Sequence, residues 1–140
     1  MTTLTKYGLL TIGLNFLILI GIGHGGIFFV FIEYFSIQNI ISHEHNFSLT
    51  GTYEERLLLS GLLSLIGQII LAAGLLVKNP NYKVFTIYLS VFILVFSFVV
   101  LVSGIFRDSI DSFPFWTGIP FIIAITFLTI SNIKMHKLCL

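Results

Sequence analysis

Apolar residues in this chain fall into four long stretches, over about 7–33, 55–77, 80–106 and 114–134, with polar segments between them. Each is long enough to supply the roughly 20 residues that carry a helix across a bilayer. The pattern predicts an all-α integral membrane protein, a single domain over 1–140. Its four transmembrane helices form an antiparallel up-down four-helix bundle, with one long outer loop over about 34–54.

Boundary residues support three of the four starts. Thr52-Tyr53-Glu54-Glu55 reads as a capping box that opens the second span, Thr52 capping the helix and Glu55 reaching back to Thr52. Lys78-Asn79-Pro80 makes a short break in which Asn79 caps the third helix and Pro80 occupies its first turn, so spans two and three form a tight hairpin. Pro114 marks the start of the fourth span in the same way. Within the polar segment, Ile37, Ile40 and Ile41 are spaced to extend the first helix or to lie along the membrane surface.

Small residues recur in register. Ser60, Gly67 and Gly74 on the second span, and Ser90, Ser97 and Gly104 on the third, each repeat at seven residues, close to two helical turns. The two stripes are expected to meet, because small side chains let helix backbones approach where lipid supplies no hydrophobic drive. Gly21 and Gly25 in the first span are expected to form another close helix crossing.

Composition agrees with the pattern. Charged residues make up 9% and hydrophobic residues 56% of the chain, against about 25% charged in soluble domains. No soluble domain and no nucleic-acid partner are expected. The first apolar run is too long for a signal-peptide core of roughly 7–15 residues, so a retained span is expected. One cysteine, Cys139, excludes a paired-thiol mechanism within the chain, and it is misplaced for prenylation.

Charge distribution gives orientation. Four crossings put Lys6, Lys78, Lys83, Lys134 and Lys137 on the side of both termini, without an acid. Glu33, Glu44, Glu54, Glu55, Asp108 and Asp111 fall on the other side with Arg56 and Arg107. The lysine bias makes both termini cytoplasmic, and a bacterial inner membrane is the expected location.

Candidate chemistry is sparse. His24 is the histidine expected within hydrocarbon, where an ionisable side chain marks a functional site by default. One reading is a structural clasp in which His24 bonds Gln68 or Ser97 from neighbouring spans. The alternative is an axial ligand to a haem-type cofactor, the flanking glycines leaving room for the macrocycle. A proton relay lacks a partner, since no carboxylate is expected at mid-depth like the membrane-embedded glutamate of small multidrug transporters. His43 and His45, with Glu44, Asp108 and Asp111 on the same side, are the candidate zinc or copper ligands. Glu33 and Arg107 are expected to pair or to snorkel at the outer ends of their spans. Asn46-Phe47-Ser48 matches a glycosylation sequon.

There is no Gly-rich phosphate loop, no Ser/His/Asp set and no arginine within a span core. The Gly-rich first helix, the long outer loop and the Leu- and Gly-filled run from Leu57 to Leu76 resemble DoxX-type small membrane proteins over the first half of the chain. No function is carried across that resemblance. Three roles are consistent with the sequence. The first is a non-catalytic accessory, structural or assembly subunit of a larger membrane complex. The second is a small oligomeric transporter or channel for a cation or apolar molecule. The third is a haem- or metal-binding electron-transfer subunit using His24. Partners are the lipid bilayer and other membrane subunits or further copies of the chain.

Overall fold

The computed structural model of the protein describes residues 2–22, 25–42, 47–49, 51–104 and 112–139. In chain order the elements are α1 (Thr3–Phe16), β1 (Leu19–Ile22), β2 (Gly25–Phe28), α2 (Phe29–Ile41), α3 (Tyr53–Leu76), α4 (Pro80–Val102), α5 (Ser112–Thr117) and α6 (Ile119–Cys139). The protein is mostly helical, and three of its helices, α3, α4 and α6, are long and apolar enough to cross a membrane.

α3 and α4 form the central hairpin, bounded as the caps predict. Glu55 N donates to Thr52 Oγ1 at 3.4 Å, and Thr52 N donates to the Glu55 carboxylate at 3.1 Å. Asn79 Oδ1 accepts from Asn81 N at 3.1 Å, and Pro80 stands in the first turn. These bonds satisfy donors that a helix end otherwise leaves open. Ser60, Gly61, Ser64, Gly67, Leu71 and Gly74 lie on the buried face of α3. Ser60, Gly67 and Gly74 meet α4 at Ser97, Leu94 and Thr86, while Gly61 faces Ser36 and Ile32 on α2.

The predicted first span is not one helix. Residues 7–33 contain α1, a two-stranded antiparallel sheet and the start of α2, with Leu19 paired to Phe28 and Ile22 to Gly25. Glycine costs roughly 1 kcal/mol relative to alanine in a helix interior. Gly21, Gly23, Gly25 and Gly26 within six residues therefore weaken helix there, while β-branched Ile20, Ile22 and Ile27 suit strands. Gly21 and Gly25, expected in a helix crossing, lie on these strands instead.

Residues 2–21 run from one end of the bundle to the other. Thr2 and Thr3 share a cavity with Lys83 near the start of α4 and with Lys134 near the end of α6. At the far end, Tyr53 Oη at the start of α3 donates to Gly21 O at 3.0 Å. β2 then returns inward, and Phe29 N donates to Ile18 O at 2.8 Å. α2 rises again beside α3, where Ser36 Oγ donates to Leu58 O at 2.8 Å.

The predicted fourth span, 114–134, is split at Gly118 into α5 and the longer α6. Gly118 N donates to Pro114 O at 2.9 Å, and Pro120 has no N–H to continue the ladder backwards. Gly118 is pressed against the Phe98 ring, leaving no room for a Cβ. The third span ends at Val102 rather than 106, so Gly104 is buried in the turn just beyond α4.

Candidate functional site

Three buried helix faces converge at mid-height of the bundle. On α1 the stripe Leu4, Gly8, Thr11, Asn15 faces inward, and on α2 the stripe Phe29, Ile32, Glu33, Ser36 does so. Both have the three- and four-residue spacing of one helix face. Opposite them α3 presents Ser64 and Gln68, halfway along its 24 residues.

Glu33 sits where the three meet and is 3% exposed. Its Oε1 accepts from Ser64 Oγ at 2.7 Å, from Gln68 Nε2 at 2.7 Å and, more weakly, from Asn15 Nδ2 at 3.4 Å. Ser64 Oγ in turn accepts from Asn15 Nδ2 and, at 3.2 Å, from Gln68 Nε2. The hydroxyl thus uses its one donor and two acceptor positions. Among the described residues Oε2 accepts no hydrogen bond and no cation pairs with Glu33. The cluster holds a carboxyl, a hydroxyl and two carboxamides. The hydroxyl and both carboxamides turn donors toward Glu33 Oε1. The group left to take a ligand is therefore the carboxyl itself, a hard site that suits a proton or a small hard cation rather than a soft metal.

Non-helical backbone adjoins the cluster in the chain, α1 ending one residue after Asn15 and α2 beginning four before Glu33. Buried backbone of this kind persists when protein groups satisfy it. Leu19 N donates to Thr117 Oγ1 at 3.1 Å, and that hydroxyl faces Leu19 O at 3.1 Å. With Tyr53 on Gly21 O and Phe29 N on Ile18 O, these bonds tie the sheet to α3 and α5. The broken segment is therefore a built part of the fold.

Glu33 does not stand exposed at an outer end: it is buried, and its partners among the described residues are neutral. It lies at the level of Ser64 and Gln68, halfway along α3. Gln68, predicted to clasp His24, donates to Glu33. His24 itself lies outside the described residues, as do His43, Glu44, His45, Asn46, Arg107, Asp108 and Asp111. Among the described residues no three His, Cys, Asp or Glu side chains converge as a metal site.

Ser97, the other predicted partner of His24, donates to Ser60 O across the α3–α4 interface at 2.7 Å. A Cβ on Gly67 would stand 2.8 Å from Leu94, and one on Gly74 would stand 3.0 Å from Thr86. Ser60 and Ser90 bond carbonyls of their own helices, Leu57 O and Ile87 O, both at 2.8 Å.

Sequence reasoning missed Asn15 and Ser64 altogether. The available signal was the first apolar stretch, which is longer than one crossing requires and carries its glycines near the middle.

No protein-family model matches the chain, and comparison with curated proteins and with solved structures finds no similar one, so the chain is assigned to no family.

Proposed function

We propose that the protein is a small membrane transporter or channel component in which Glu33 binds a proton or a small monovalent cation. The observation that carries this reading is a buried carboxyl at mid-height of the bundle, close in sequence to a broken helix, whose donors among the described residues are all neutral. Discontinuous segments around a midplane site are a recurring way to bind ions within a bilayer. Intramembrane acidic groups are costly enough that they mark ion or proton paths by default.

In this reading the first segment is a fourth crossing, and both termini lie at the lysine-rich, cytoplasmic end of a multi-pass membrane protein. α1, 14 residues long, covers about 21 Å at the helical rise, and the four residues of β1 add about 13 Å as strand. Together they match a hydrocarbon core of roughly 30 Å. Glu33 lines neither the two cavities at the lysine-rich end nor the one beside Phe35 and Leu58. Transport therefore calls for an oligomer or a partner subunit.

The test compares the native protein with Glu33→Gln in vesicles under a proton, sodium or potassium gradient. The replacement keeps Oε1 as an acceptor for Ser64 and Gln68 while removing the acid. Native protein is expected to raise flux of one of these ions above protein-free vesicles, and the variant to abolish it with its thermal unfolding unchanged. Equal flux from both, or none from the native protein, favours the second reading, a non-catalytic subunit in which the cluster is a structural clasp. That second reading is supported by Glu33 and its three partners joining α1, α2 and α3 in one buried network.

A further inference from the structure

At the end of the bundle opposite Gly21, two cavities share a wall. One, of about 460 Å³, is lined by Thr2, Thr3, Lys83, Ser131 and Lys134 among others. The other, of about 250 Å³, shares Thr3, Ser131 and Lys134 and continues onto Tyr7, Phe127 and Ile130. The first carries both lysines on a wall that also includes apolar Leu4 and Met135. The second is a groove between α1 and α6, walled by the stacked rings of Tyr7 and Phe127, whose centroids are 5.6 Å apart.

The fold brings the two lysines together. Asn132 is fully buried and its Nδ2 donates to Val84 O at 3.1 Å. That bond fixes α6 against the first turns of α4, so that Lys134 and Lys83 face one cavity. Lys83 Nζ spends one donor on Leu75 O at 3.0 Å and keeps two. Thr2, Thr3 and Ser131 line the same space, the Thr2 hydroxyl lying 2.7 Å from Thr5 Oγ1. Among the described residues, neither cavity is lined by an acidic side chain.

We propose that these adjoining cavities bind one anionic phospholipid, its phosphate between Lys83 and Lys134 and an acyl chain in the Tyr7–Phe127–Ile130 groove. The charge argues for the anion. An apolar groove that opens directly from the basic cavity argues for a lipid rather than a free phosphate. Basic pockets between spans on the cytoplasmic face are suited to such headgroups.

Native mass spectrometry of the detergent-solubilised full chain, with equal phosphatidylglycerol and phosphatidylcholine, tests the site. One bound phosphatidylglycerol is expected in preference to phosphatidylcholine. Lys134→Gln, whose side chain makes no bond to other described residues, should lower that preference roughly five-fold. Lys83→Gln/Lys134→Gln should erase it, and Lys6→Gln/Lys78→Gln, on the same side but outside the cavities, should leave it intact. Phe127→Trp, which crowds the groove without touching a charge, should weaken phosphatidylglycerol binding as well. Equal retention of the two lipids, a preference undiminished in Lys134→Gln, or loss of preference in the Lys6/Lys78 variant would overturn the proposal. Displacement of the lipid by millimolar inorganic phosphate would also overturn it, by showing a site for the free anion.

Discussion

Gln68 Nε2 and Ser64 Oγ are the two short donors on Glu33, and the weight of the buried network rests on them. Removing one leaves a carboxyl oxygen short of a partner away from water, at a cost of about 1–3 kcal/mol. Gln68→Leu is therefore expected to lower the unfolding stability in detergent by that amount. The double variant Glu33→Leu/Gln68→Leu is expected to lose less than the sum of the two single losses, since neither group is then stranded. Strictly additive losses would show that the two side chains are not coupled. The position of Glu33 was misjudged from sequence for a countable reason. As one helix, the first apolar stretch carries Glu33 to its outer end. In the structure the strands 19–22 and 25–28 run outward and return, so Glu33 comes back to the level of Ser64.

α3 and α4 were legible because their signals are local. Thr52 with Glu55, and Asn79 with Pro80, act within a few residues of the helix starts they define. The sheet was not legible in the same way. Its sequence is apolar enough for a helix, and what stabilises strands at that depth is bonding to Thr117 and Tyr53 far along the chain. The small residues of α3 were recognisable by their spacing, and their neighbours now allow a direct test. Gly67→Leu places new atoms where Leu94 already stands, and overpacking of this kind costs about 1–3 kcal/mol. Phe92, 69% exposed on the outer face of α4, should accept Phe92→Leu with a much smaller loss. Matched effects in an unfolding titration would mean that α3 and α4 do not meet at Gly67.

For the whole molecule, a thiol reagent that cannot cross the bilayer reads which end is outside. Applied externally to cells, it is expected to label Leu49→Cys and to leave Tyr82→Cys unmodified; the reverse would invert the proposed orientation. The same reagent reaches a consequence of the bond between Leu19 and Thr117, which are 98 residues apart. A chain is synthesised from its N-terminus, so Leu19 enters the membrane long before Thr117 exists. Until then the stretch satisfies its own backbone only as an uninterrupted helix. We predict that Glu33→Cys is labelled from outside in a chain terminated after Leu76 and protected in the full-length protein. Protection in both would show that the sheet forms without Thr117. The expected result describes a protein whose first crossing is threaded in one shape during synthesis and converted to another at completion. Its buried acid would then be drawn inward only once the last helix has arrived.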